Sequence, residues 1–320
     1  MLFLLLQTLA TLFHAGLIFS AAPLLTGMVN KLRARLLGRR GPPMWQPYVT
    51  LLKRIRKTPL VPDNASELYR VWPFACFAAM AAAAMLVPGF CAGLLMAGPG
   101  DMITIIGVLA LSRAAMLLAA METGFGFGGA GAGRDILFGI FAEAALLVIV
   151  LTLVLIAHNP TVDGIAAAFR AGHIGIQVSL GFALAATLAV ALTETGRLPV
   201  DNPAGHLELA MVHEALLLEY SGKYLALFEY AGMLRLLVWM TLIGTIFCPF
   251  GMATAGDILS WPGGVLTWLL KLCAGALALA AFEVSTAKMR IFRVPEFLGV
   301  AILLGLLSAI FLFVAEKIGG

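Results

Sequence analysis

The feature that most constrains this chain is a series of eight long apolar runs, at about residues 2–27, 71–96, 101–123, 135–157, 175–195, 224–249, 262–284 and 296–315. A bilayer-spanning helix needs roughly 20 consecutive apolar residues. Backbone polar groups inside lipid must also be satisfied within the segment, which leaves helices as the form such runs take. The chain therefore reads as an all-α, polytopic helical bundle of about eight transmembrane helices, forming one integral membrane domain over residues 1–320. Charged residues make up only 12% of the chain, and mean hydropathy is +0.99. A soluble domain carries about 25% charge, so a cytosolic enzyme, a disordered chain and a nucleic-acid reader are excluded. The first run lacks a basic segment ahead of it and is too long for a signal sequence, so it reads as a retained anchor.

Charge sets the orientation. Sixteen of the 21 Lys and Arg residues lie between spans 1 and 2, 3 and 4, 5 and 6, or 7 and 8, while only Arg170 and Lys317 fall on the other side. The positive-inside rule then places those connections in the cytoplasm and both termini outside. The chain is expected in the cytoplasmic (inner) membrane of a prokaryote. Two cytoplasmic segments are long. Residues 28–70 contain Arg39 and Arg40, then Trp45, Tyr48 and Lys53, and read as an amphipathic piece at the membrane surface that docks anionic lipid or a partner. Residues 194–223 hold a run of acids interleaved with Leu and Met. There Pro199 and Pro203 bracket Asp201, and a short amphipathic helix is expected after Pro203.

Several motifs carry no chemistry. Gly126-x-Gly128-x-x-Gly131 matches a dinucleotide fingerprint formally, but a membrane span precedes it where a strand is required, and the glycine-rich 124–133 reads as a flexible turn. His213-Glu214 lacks the second histidine of a zinc motif, because Leu217 stands there. Cys76, Cys91, Cys248 and Cys273 are far apart in apolar stretches, without the spacing of a zinc or iron–sulfur site. The chain itself is expected to hold no metal or cofactor. No internal repeat is visible, which weakens a reading as a stand-alone ion-coupled transporter.

Ionisable groups at membrane depth are costly and mark function. Glu143 falls about eight residues into span 4, roughly 12 Å below the cytoplasmic surface at 1.5 Å per residue. Glu122, Glu194 and Glu283 close spans 3, 5 and 7 on the same side. Arg113 and Lys271 lie within spans, as does Arg235. Together with Asp201, Glu208, Glu214 and Glu219, these groups suggest a hydrated track for proton relay and coupling, with cations that bias its occupancy.

At these residues the chain resembles a known family. Glu194-Thr195-Gly196-Arg197-Leu198-Pro199-Val200-Asp201-x-Pro203, followed by Glu208-Leu209 and Glu219-Tyr220-Ser221, is similar to the signature loop of the respiratory complex I subunit 1 family. The G-R-R-G-P-P-x-x-Q-P-Y-x-x-L-L-K run at 38–53, and Gly131–Asp135 with Glu143, resemble the membrane anchor of energy-converting nickel–iron hydrogenases of the formate hydrogenlyase and hydrogenase-4 type. The resemblance implies a non-catalytic membrane anchor and coupling subunit. Its partners would be peripheral hydrogenase-like large and small subunits, an iron–sulfur subunit and antiporter-like membrane subunits. Iron–sulfur clusters and a nickel–iron centre would sit in those partners, with Arg197 joining Arg39 and Arg40 in docking. A quinone-site subunit is the alternative within the same family. The quinone-linked branch carries further acids just after the loop proline, where this chain has Ala204 and His206, and this argues against a quinone head-group site.

Overall fold

The computed structural model describes residues 2–98, 100–171, 178–198, 213–287 and 293–319. The protein is an all-helical polytopic membrane protein. Its helices are α1 (Leu2–Leu36), α2 (Gln46–Ile55), α3 (Leu68–Leu86), α4 (Met102–Glu122), α5 (Gly126–Ala157), α6 (Val162–Arg170), α7 (Val178–Glu194), α8 (Gly222–Ile246), α9 (Trp261–Ser285) and α10 (Val294–Gly319). Among the described residues seven of these are long and apolar enough to cross a membrane, and α7 is a shorter apolar helix at the place of the fifth expected span.

Most of the expected spans match their helices within a few residues. The second does not. Its apolar run reaches residue 96, but α3 stops at Leu86 because Val87 turns extended (ψ 113°) ahead of Pro88. The glycine-rich stretch is also not a turn. After a three-residue connection with Gly124 in the left-handed region (φ +65°), helix α5 starts at Gly126 and runs through Gly128, Gly131 and Gly133. Close packing explains this. A Cβ on Gly128 would lie 2.6 Å from the carbonyl oxygen of Ala120, so glycine lets the first turn of α5 press against the last turn of α4. Asp135 thus lies nine residues inside a helix.

Helix α8 is the central element, buried along most of its length from Tyr224 to Ile246 and packed against α1, α3 and α9. Helices α5, α7 and α10 form a second group, and α3 packs on α4; the buried residues of these two helices include the small Ala79, Ala83, Ala115 and Ala119. Small side chains permit the close approach on which membrane helix packing relies. The amphipathic piece expected in 28–70 is α2, with Pro47 and Leu51 turned inward and Trp45, Lys53 and Ile55 exposed.

The two ends of the bundle differ. At the end opposite the basic loops, β1 (Cys91–Ala92) pairs in parallel with β2 (Ala253–Thr254), register Cys91↔Ala253. Gly93 N–H donates to Asp163 Oδ2 at 2.8 Å, Gln7 Nε2 donates to the Gly93 carbonyl at 3.2 Å, and Thr245 Oγ1 donates to the Pro88 carbonyl at 2.8 Å. Beneath this cap, α4, α5 and α8 enclose an apolar gap of only about 20 Å³, lined by Leu109, Ile149, Leu153 and Trp239 among others. The basic end holds a larger opening, between α1, α2 and α8.

Candidate functional site

The site grows from Arg113. Nine residues before the end of α4, its side chain is 5% exposed and carries a charge that apolar surroundings cannot solvate. Asp135 of α5 meets it: Arg113 Nε donates to Asp135 Oδ2 at 3.0 Å, and Nη2 donates to Oδ1 at 3.1 Å and to the Asp135 carbonyl at 2.9 Å. On the other side Nη1 donates to Glu194 at the end of α7. One guanidinium therefore bridges two carboxylates from two further helices, in the forked geometry arginine favours. Gly139, one turn after Asp135, leaves room for it; a Cβ there would stand 3.0 Å from Arg113 Cζ.

His213 approaches from the basic end, with Nδ1 3.7 Å from Asp135 Oδ1. Its ring packs over Gly196, whose left-handed conformation (φ +63°) ends the turn after α7, and where a Cβ would come within 2.7 Å of His213 Cδ2. Glu143 lies two steps of four residues beyond Asp135. At 100° per residue it is rotated roughly 80° around α5, so it leaves the buried face and is exposed at the bundle's surface, still close enough to act electrostatically on Arg113. Ser112 is fully buried beside Cys76, with Oγ to Sγ at 3.4 Å. Arg235 of α8 is 8% exposed and acts on both Asp135 and Cys76 through its charge.

The other expected residues fall elsewhere. Glu122 accepts from Ser66 Oγ and from Trp72 Nε1 (3.4 Å), away from Arg113. Glu283 forms its own ion set on the basic side, with Arg33 Nη1 at 3.5 Å and Arg197 Nη1 at 3.3 Å. Lys271 lies over Gly244 at the contact of α8 and α9, near Cys248 and Arg170 and apart from the cluster. Glu214 is exposed, and Glu219 offers its backbone carbonyl to Tyr69 Oη at 2.8 Å. Asp201 and Glu208 lie outside the described residues, as does the helix expected after Pro203. Arg39, Arg40 and Lys53 are exposed, while Tyr48 donates to the Ser20 carbonyl and so fastens α2 to α1.

Two basic-end segments are locked together. Tyr69 stacks on Tyr220 with ring centroids 4.3 Å apart, Tyr220 Oη donates to the Ala119 carbonyl at 3.2 Å, and Ser221 Oγ accepts from Leu60 N–H at 2.8 Å. Burial, with Tyr69 and Glu122 nearby, holds the Tyr220 hydroxyl well above the usual phenol range. Between α1, α2 and α8 lies a cavity of about 430 Å³, lined by Asn30, Gln46, Thr195, Arg197, Glu229 and Met233 among others. Thr195 connects its wall directly to Glu194. Among the described residues no three His, Cys, Asp or Glu side chains converge to hold a metal ion.

Sequence reasoning misses Asp135 and His213 as members of the site, and it misses the cavity. A signal for Asp135 exists: Arg134-Asp135 lies at the start of an apolar run, but reading 124–133 as a turn puts it at a span's edge rather than inside a helix.

The NADH dehydrogenase family profile matches residues 8–315. The chain is 32% identical over 258 residues to hydrogenase-4 component C of Escherichia coli K12, covering 81% of each chain. It is 29% identical over 293 residues to formate hydrogenlyase subunit 4 of the same organism, covering 91% of this chain and 94% of that one. Among solved structures it resembles a chain of the membrane-bound sulfane sulfur reductase, an archaeal respiratory membrane complex, with a TM-score of 0.79 at 19% identity over 96% of this chain and 98% of the other.

Proposed function

Because the chain belongs to the NADH dehydrogenase family, of the complex I subunit 1 type, we propose that it is the membrane anchor and coupling subunit of a hydrogenase-like redox complex. In this reading it links a peripheral arm to proton or sodium translocation and breaks no substrate bond itself. The basic end lies in the cytoplasm and both termini lie outside, in the inner membrane of a prokaryote. Arg39, Arg40 and Lys53 face the peripheral large, small and iron–sulfur subunits or anionic lipid. Those partners carry the iron–sulfur clusters and the nickel–iron centre.

The observation that carries the proposal is the buried set Arg113–Asp135–Glu194, continued outward by Glu143. Acids from separate helices, held by one cation, can exchange protons with the basic end through His213, whose Nδ1 stands 3.7 Å from Asp135 Oδ1. Toward the opposite end α4, α5 and α8 enclose only a small apolar gap beneath the β1–β2 cap, and in this reading no proton path runs outward there. Protons entering the set leave sideways at Glu143. Around it Ile136, Ile140, Leu147 and Leu151 are all exposed. A carboxylate facing lipid at this depth costs several kcal/mol or must be paired, so this face of α5 meets an antiporter-like membrane subunit.

The test is to isolate the tagged chain from native membranes. Co-purification of iron- and nickel-containing subunits with membrane partners supports the proposal. A chain that isolates alone, stable and able to move ions in liposomes overturns it.

The cavity between α1, α2 and α8 favours a second reading, a quinone-site subunit. Its volume falls in the range of small-molecule sites, and Asn30, Gln46 and Arg197 supply polar contacts. Quinone-dependent turnover, lost on filling the cavity with Gly232→Trp, would select this reading.

A further inference from the structure

The cavity of about 430 Å³ between α1, α2 and α8 has walls that are fixed in place. On α1, Gly27 lets the Met44 carbonyl press against the helix, because a Cβ there would overlap it. Gly41, in the left-handed region (φ +63°), lies against α1 so closely that a Cβ would come within 2.6 Å of Ala34 Cβ. Tyr48 fastens α2 to the Ser20 carbonyl. Pro42, Pro43 and Pro47 line the cavity and stiffen this wall. On α8, Gly232 lines the same space, and its Cβ position has nothing within 4 Å. Helix α2 turns Trp45, Val49, Leu52 and Ile55 outward, all exposed. An amphipathic helix with such a face lies at headgroup level in a membrane, and the cavity it walls lies at the same level.

The charges at this wall do not cancel. Arg197 and Glu229 both line the cavity. Arg197 Nη1 is 3.3 Å from Glu283 Oε1 and Arg33 Nη1 is 3.5 Å from Glu283 Oε2, so two guanidinium groups share one carboxylate. Glu229 is paired with Arg54. Among the described residues these five groups leave one positive charge in excess. A guanidinium has five N–H donors, and Arg197 uses Nη1 on Glu283. The side-chain amides of Asn30 and Gln46 line the same space and have no hydrogen-bond partner among the described residues. We propose that the cavity binds the headgroup of an anionic phospholipid, with the phosphate on Arg197 and the amides of Asn30 and Gln46 on the remaining headgroup oxygens. The proposal rests on the reading of the basic end as the cytoplasmic membrane face. Forked N–H groups match phosphate oxygens, and basic pockets between spanning helices on that side suit anionic head groups. A neutral quinone ring, or a zwitterionic head that brings its own ammonium, would leave the excess charge standing.

The test uses the intact complex carrying Gln46→Cys, at an exposed position on the cavity wall. The complex is exchanged from native lipid into nanodiscs of phosphatidylcholine, alone or mixed with phosphatidylglycerol. Reaction of the new thiol with a water-soluble maleimide is followed by peptide mass spectrometry. Phosphatidylglycerol is expected to slow labelling about tenfold or more, the factor that one charge-assisted contact supports. Phosphatidylcholine alone, with or without inorganic phosphate in solution, is expected to leave labelling fast. Arg197→Gln should return the rate in phosphatidylglycerol to that in phosphatidylcholine. Equal rates in the two lipid mixtures overturn the proposal, as does equal slowing by inorganic phosphate. Slowing by a short-chain quinone and not by phosphatidylglycerol overturns it in favour of the quinone reading. If Arg197→Gln does not assemble, Asn30→Leu decides: weakened protection supports the proposal and full protection overturns it. Labelling needs no pumping. Protection in a complex that translocates no ions keeps the lipid site and removes the coupling reading, while a coupled complex without protection removes the lipid site alone.

Discussion

Gly139 of α5 lies directly beneath the guanidinium of Arg113, close enough that a Cβ there would come within 3.0 Å of Cζ and 3.1 Å of Nη1. Arg113 is held on both sides by Asp135 and Glu194 and has nowhere to retreat. Gly139→Ala is therefore expected to cost about 1–3 kcal/mol, as overpacking does in a filled interior, and to lower coupling. Thermal midpoint and translocation measured together check it; an unchanged midpoint would mean the guanidinium has free room.

Removing Arg113 leaves two carboxylates uncompensated. Arg113→Leu is expected to destabilise the protein by roughly 3–5 kcal/mol, the cost of breaking a buried pair from one side. Adding Asp135→Asn and Glu194→Gln should restore most of that loss, because neutral amides need no counter-charge. Denaturation of the single and triple variants in detergent reads the difference, and a triple variant no better than the single would contradict it.

The stack of Tyr69 on Tyr220 joins the start of α3 to the segment before α8. Tyr220→Phe keeps the stack and loses the bond to the Ala119 carbonyl, for a cost of about 1 kcal/mol. Tyr220→Ala also empties the space and should cost about 3–5 kcal/mol. The ordering of the two midpoints checks which contact dominates.

Asp163 lies at the opposite end, where burial raises its carboxyl above the usual range against the pull of the Gly93 N–H and Arg170. A raised folded-state value means the folded protein binds the proton more tightly than the unfolded chain. Its contribution is fully present below the ordinary carboxylate pKa and is lost as pH rises through the raised value. Asp163→Asn keeps an acceptor for Gly93 and removes this dependence. Its stability should therefore fall less than wild type's across that window, as measured by midpoint against pH.

The sequence exposed the architecture through the length of its apolar runs, and it named Arg113, Glu143 and Glu194 through their depth. It grouped Glu122, Glu283 and Lys271 with them because depth and side are one-dimensional. Ser66 with Trp72, Arg33 with Arg197, and the α8–α9 contact each draw one of these away. Asp135 was hidden by a glycine run that looks like a turn but lies in a helix whose Gly128 packs closely on α4. His213 reaches Asp135 from 78 residues further along the chain, a distance no spacing rule spans.

The most direct measurement of the central claim is ion translocation per electron transferred in proteoliposomes holding the whole complex with Glu143→Gln. Sustained electron transfer and intact assembly are expected, with translocation per electron falling toward zero. Wild-type translocation at wild-type turnover would contradict the role of Glu143 as the way out of the buried acid set.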